Sequence, residues 1–229
     1  MATGTPASIV EPTAGPVGTV ILLHGLGSSG DEMEQLVPLF ARPDLRFVLP
    51  FAPPREVTIN QGFRMRAWYD IRGFARTPDR EPEEDVREAA RQIEAELAAE
   101  VARGTPADRI VLAGFSQGGA MAAHVGLTTA HRLAGLVVLS GYLVRNGELV
   151  EGPVGGSAMA PAFCAHGQAD PQVRCAWGQE AAERLGRDLR LVEWRTYAMG
   201  HELCAAELHD LRAWLDQTLP GARSVEDGA

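Results

Sequence analysis

Two rhythms of apolar residues alternate along the chain. The first is the short unbroken run, at residues 17–23 (V-G-T-V-I-L-L), 109–113, 135–140 and 161–165. Such runs predict parallel strands covered on both faces, where neither side meets water. The second is helical spacing. It is clearest over 81–103, where Val86, Ala89, Ala90, Ile93, Leu97 and Val101 recur with charges between them. Gly104 and Pro106 mark its end. The same reading predicts helices over 31–40 (despite Pro38), 116–130, 173–185 and 202–219, and strands over 46–49 and 189–195. Residues 1–16 read as a frayed end or one edge strand near 8–11, and 220–229 as a loose tail. From 17 to 219 strand and helix alternate without a break in composition. That pattern predicts one α/β domain, a mostly parallel sheet with helices on both faces.

Two stretches follow neither rhythm. Residues 141–160 are glycine-rich and irregular. Residues 50–82 hold Pro53-Pro54, then Val57-Thr58-Ile59-Asn60, then Met65 to Ile71. A connection this long in a compact domain is functional or disordered, and its aromatic content argues for packing. It is expected to wall a pocket, with a surface hairpin as the plainer alternative.

Composition narrows the picture. At 229 residues, 45% apolar and 22% charged, the chain suits an ordinary globular domain with a sizeable core. Its net charge of −9 counts against a nucleic-acid or anionic-membrane surface. Cys164, Cys175 and Cys204 are odd in number and match no C-x-x-C spacing, as expected of reduced thiols in the cytoplasm. No basic start leads into an apolar run, and no apolar stretch approaches the roughly 20 residues of a membrane span.

The chemistry starts at Gly114-Phe115-Ser116-Gln117-Gly118, a G-x-S-x-G turn between a strand and a helix. There a serine hydroxyl is held up at the end of the sheet, and glycines let strand and helix approach. A helix-capping serine is the bland alternative; partners downstream decide against it. A serine nucleophile needs a base, itself oriented by a carboxylate, here in the chain order Ser, Asp or Glu, His. Of the downstream histidines, His201 alone follows a strand and loop and precedes a helix, which places it at the active edge. Asp170 follows the strand at 161–165, at the same edge. Two backbone N–H groups must hold the oxyanion: that of Gln117, after the nucleophile, and that of Leu26 in His24-Gly25-Leu26-Gly27. His24 is expected to orient that loop. No phosphate loop, H-E-x-x-H or dinucleotide fingerprint is present, so neither metal nor cofactor is expected.

Six stretches in order then carry a resemblance: L-L-H-G-L-G at 22–27, A-P-P-R-E-V-T-I-N at 52–60, M-R-A-W-Y-D-I at 65–71, G-F-S-Q-G-G-A-M-A at 114–122, H-G-Q-A-D-P-Q-V at 166–173 and Y-A-M-G-H-E at 197–202. Together they resemble the phospholipase/carboxylesterase group of α/β-hydrolases, which includes bacterial carboxylesterases and acyl-protein thioesterases. The resemblance implies a single-domain α/β-hydrolase fold without a large lid domain, acting as monomer or homodimer on a small-molecule ester or thioester. It implies Ser116, Asp170 and His201 as catalytic residues, Leu26 and Gln117 as the oxyanion hole, and Met65, Trp68 and Val173 as pocket walls. Arg66-Ala67 departs from a more usual Pro-Ser, and Arg66 is expected to add charge at the pocket mouth. The reading is a serine carboxylesterase for short to medium acyl chains. Its rivals are an acyl thioesterase or lysophospholipase, a dienelactone-hydrolase-like enzyme (against which Ser116 argues, in place of cysteine) and a non-catalytic binding protein of the same fold.

Overall fold

The computed structural model describes residues 6–28, 30–150 and 156–221. In chain order its main elements are β1 (Ala7–Val10), β2 (Thr19–Leu23), α1 (Gly30–Leu36), β3 (Arg46–Pro50), β4 (Pro54–Val57), β5 (Phe63–Arg66), α2 (Glu83–Arg103), β6 (Ile110–Phe115), α3 (Gln117–Thr128), β7 (Gly135–Leu139), β8 (Pro161–Gly167), α4 (Cys175–Asp188), β9 (Leu191–Tyr197) and α5 (Ala205–Thr218). Seven strands form one sheet in the order β1-β3-β2-β6-β7-β8-β9. All neighbours pair in parallel except β1, an antiparallel edge strand on β3.

The unbroken apolar runs are explained by two cores. Ile21, Leu23, Leu112, Val138 and Cys164 point to the face covered by α2, α3 and α4. Val20, Leu22, Val111, Val137 and Phe163 point to the other face, against Met33, Phe40, Leu211 and Trp214 of the α1 and α5 side. With both faces dry, alternate positions are all apolar.

Several elements begin or end elsewhere than their patterns predict. The helix expected over 31–40 is α1 followed by a tighter 3-10 turn, Val37–Phe40, with Pro38 in its first turn. Proline has no N–H for the i−4 bond, so the α-helix stops before it. Helix α3 starts at Gln117, because Ser116 lies at φ 55°, outside helical space. β8 and β9 run two residues past their expected ends, to Gly167 and Tyr197, which carries the loops after them to the same edge. Within 50–82, β4 and β5 form the hairpin that was the plainer alternative, while Trp68 and Tyr69 just beyond it are fully buried. The proposed tail falls mostly at 222–229, outside the described residues.

Candidate active site

Four loops converge at the carboxyl ends of β2, β6, β8 and β9. In open parallel sheets this is where ligands bind. Ser116 sits at the turn from β6 into α3, with φ 55° and ψ −118°. Two glycines permit that turn. A Cβ at Gly114 would lie 2.2 Å from the carbonyl oxygen of Gly118, and one at Gly118 would lie 2.3 Å from that of Leu23. The turn is held by the Ser116 N–H donating to the Leu139 carbonyl at 2.9 Å.

The structure brings Ser116, His201 and Asp170 together. The Ser116 hydroxyl donates to His201 Nε2 at 2.8 Å. His201 Nδ1–H donates to Asp170 Oδ2 at 2.6 Å. The carboxylate can only accept, so it fixes the proton on Nδ1 and leaves Nε2 bare toward the serine. The imidazole is further held by Phe115, ring centroids 4.9 Å apart. Asp170 Oδ1 accepts from the N–H groups of Gln172 and Val173, each at 2.8 Å. Its side chain is wholly buried, and its hydrogen-bond partners are all N–H donors.

Behind the acid loop stands His166. Its Nε2–H donates to the Val173 carbonyl at 2.8 Å, tying the loop's far end to β8. Its Nδ1 is buried without a partner, and burial lowers its pKa. A charged imidazolium is therefore disfavoured there. No local pattern around His166 points to this brace; its place before the turn glycine only sets it aside as the base.

His24 does orient its loop. The Ala52 N–H donates to its Nε2 at 3.0 Å, which assigns the proton to Nδ1, and Nδ1–H donates to the Gly25 carbonyl at 2.7 Å. Burial lowers its pKa, so it serves as a neutral strut. The N–H groups of Leu26 and Gln117 have no acceptor among the described residues. The Gly27 N–H, by contrast, is taken up by the Arg66 carbonyl at 2.8 Å. The Gln117 side chain has a second task that the sequence did not reveal. Its Oε1 accepts from the Trp68 N–H at 2.9 Å and its Nε2 donates to the Tyr69 carbonyl at 2.7 Å. The elbow and the 67–70 segment are thereby clamped together.

Two cavities flank the serine. One, of about 260 Å³, is bordered by Ser116, Gln117, Leu26, Ile59, Val173 and Trp177, with Arg80 and Tyr142 also in its lining. The other, of about 550 Å³, is bordered by His201, Phe115, Leu36, Leu203 and again Leu26, with Glu32 and Glu202 in its lining. Of the expected pocket walls, Val173 lines the first cavity. Trp68 and Met65 line neither. Trp68 is fully buried beneath the site, its indole N–H donating to the His24 carbonyl at 3.0 Å. Met65 is half-buried, its sulfur accepting from Asn60 Nδ2 at 3.2 Å. Arg66 adds no charge at the mouth either; it donates to the Ala52 carbonyl and stacks on Phe51.

Comparison with known proteins agrees with this geometry. The model of the family described as phospholipase/carboxylesterase matches residues 5–219. Acyl-protein thioesterase 1 of Neurospora crassa is 37% identical, over 94% of this chain and 92% of its own length. The crystal structure of acyl-protein thioesterase 2 of Zea mays superposes with a TM-score of 0.78 at 26% identity, over 94% of this chain and 99% of that one. That of Arabidopsis thaliana SOBER1 gives 0.77 at 29%, over 88% and 99%.

Proposed function

The chain belongs to the phospholipase/carboxylesterase family of α/β-hydrolases and is a serine hydrolase, and we propose that it cleaves carboxylic esters of short to medium acyl chain through an acyl-enzyme on Ser116. The observation that carries this reading is the unbroken hydrogen-bond path from Ser116 through His201 to Asp170, 2.8 and 2.6 Å long. In it, His201 takes the serine proton as Oγ attacks the acyl carbon. The free N–H groups of Leu26 and Gln117 receive the oxyanion, each worth about 3 kcal/mol or more in the transition state. His201 then gives its proton to the leaving oxygen. Water, activated by the same imidazole, breaks the acyl-enzyme. Asp170 stays ionised and holds the ring.

The two cavities follow from the same roles. The leaving group must lie where His201 can protonate it, so the 550 Å³ cavity that His201 borders takes the alcohol. The smaller cavity, bordered by Ser116 and Gln117, takes the acyl chain. At about 260 Å³ it falls below the roughly 300 Å³ at which drug-sized sites begin, which favours short chains. A second reading, thioester hydrolysis, is favoured by the name of the Neurospora crassa relative, an acyl-protein thioesterase; the same triad serves it. Three unpaired thiols support a cytoplasmic setting. No helix among the described residues is long and apolar enough to cross a membrane. We assign the substrate as a small molecule, met by a monomer or homodimer.

The test is hydrolysis of p-nitrophenyl esters of graded acyl length, with matched thioesters, by the wild type beside Ser116→Ala. The expected result is activity highest for short oxyesters and lost in the variant by a factor on the order of 10⁴ or more. Full activity in the variant would overturn the nucleophile. A thioester preference across the series would favour the second reading.

A further inference from the structure

The acyl cavity carries a cation. Arg80 lines it with Ser116, Leu26, Ile59 and Val173, yet the residue is only 7% exposed. A guanidinium buried among apolar side chains loses its hydration and must be compensated. Part of that compensation is visible. Arg80 Nε donates to the Gly73 carbonyl at 3.0 Å and Nη1 to Glu81 Oε1 at 2.6 Å. Its flat faces lie against aromatic rings, 5.0 Å from the Tyr142 centroid and 5.4 Å from that of Trp177. The guanidinium also donates to the Tyr142 hydroxyl, and Glu81 is its one carboxylate partner among the described residues. Since Arg80 lines the cavity, its positive charge is what an acyl chain meets beyond the apolar walls.

The surrounding charges act the same way. Arg76 and Arg174 also stack on Trp177, at 5.3 and 6.0 Å. Glu81 and Glu180 pair with Arg80 and Arg76, while Arg174 forms no ion pair among the described residues. Around Trp177, three arginines thus meet two glutamates.

We infer that Arg80 is a specificity-determining residue and that the cavity prefers acyl chains ending in a carboxylate, so that half-esters of linear dicarboxylic acids are better substrates than alkanoate esters of equal length. The inference rests on the esterase reading above and names its substrate class. Hydrolysis breaks the acyl C–O bond. One water supplies the oxygen of the new carboxylate and the proton of the released alcohol; the second proton goes to solvent. The product is a dicarboxylate, its far end bound by Arg80 throughout.

The experiment compares methyl half-esters of succinate, glutarate, adipate and suberate with methyl alkanoates of the same acyl length, following proton release at fixed pH. In the wild type, kcat/KM should favour the half-ester at its best length by about 10- to 100-fold, the worth of one charge-assisted hydrogen bond. Arg80→Gln should remove that preference, with kcat/KM falling at least about 10-fold further on the half-esters than on the matched alkanoates. Because that variant strands Glu81, the double variant Arg80→Gln/Glu81→Gln is run beside it, with melting temperatures for both. Equal or better use of alkanoates at every length by the wild type would overturn the inference and leave the esterase standing. So would an equal loss on both series in the double variant, which would make Arg80 a structural brace. Failure of the wild type on both series, and on p-nitrophenyl esters, would overturn the esterase reading and this inference with it.

Discussion

Glu207 is a carboxyl group in the wrong place for an anion. It lies in the first turn of α5, is fully buried, and neither side-chain oxygen has a hydrogen-bond partner. It reaches back toward the Cys204 backbone, as the acid of a capping box does, but the bond is not closed. Desolvation raises its pKa from 4.5 to about 7, with the Cys204 backbone opposing. The sign follows from linkage. The folded state holds the proton more tightly than the unfolded chain, so stability is fullest below pH 4.5. It falls as pH rises through the window from 4.5 to about 7 and is level above it. A shift of this size corresponds to about 3 kcal/mol lost at pH 8.

The perturbation is Glu207→Gln, which keeps the shape and removes the titration. The assay is urea unfolding of both proteins between pH 5 and 8.5, with the slope of the transition compared as well as its midpoint. The variant should exceed the wild type by about 1 kcal/mol near pH 5 and by about 3 kcal/mol at pH 8, an increase of several degrees in Tm for a domain of this size. The wild-type midpoint should fall across the window; the variant's fall should be smaller. If the variant is less stable at pH 8 than the wild type, Glu207 acts as an ionised cap and the desolvation argument fails. Equal stability at all pH values would show that water reaches the carboxyl.

Two changes at the active centre have distinct signatures. Asp170→Asn sets an amide N–H against His201 Nδ1–H, favouring the other tautomer and placing a proton on Nε2 toward the serine; kcat should fall by a factor on the order of 10⁴ with the far-UV spectrum unchanged, and a loss under tenfold would remove Asp170 from the relay. Gly118→Ala places a Cβ 2.3 Å from the Leu23 carbonyl oxygen and 2.6 Å from that of His24. The clash is with backbone at the root of the loop that carries Leu26, so kcat should drop about 100-fold with about 1–3 kcal/mol of stability; wild-type kcat in a folded variant would mean that the loop does not need this approach.

The sheet and the side chains that meet in the Ser116–His201–Asp170 hydrogen-bond path were legible because each depends on a local rule. Runs such as 135–140 can only be strands dry on both sides, and chain order plus strand ends left His201 and Asp170 as partners for Ser116. What failed depends on which side of a wall a residue takes. Trp68 was read as facing substrate, but its indole N–H finds the His24 carbonyl and its backbone N–H finds Gln117. No pattern in 65–71 encodes those partners, which lie more than forty positions away in the sequence. Arg80 was invisible for the same reason. Its neighbourhood has no period, and an arginine there reads as solvated until Glu81, Tyr142 and Trp177 are seen to close around it. Helix starts were misplaced because the N-caps Ser116, Arg174 and Cys204 make no side-chain capping bond.

The fold thus treats two of its buried acids, Asp170 and Glu207, in opposite ways. Asp170 meets two backbone N–H groups and the His201 ring N–H, so ionisation is matched by donors before substrate arrives. Glu207, six residues beyond His201, meets none. Raising the pH therefore charges a carboxyl that the core cannot solvate, one close in sequence to the active centre. A decline in rate at alkaline pH that disappears in Glu207→Gln would be a loss of folded protein, while one that persists in the variant would belong to the active centre. Because the α5 helix that carries Glu207 begins just after the His201 loop, these effects fall on neighbouring residues, and only the variant distinguishes them.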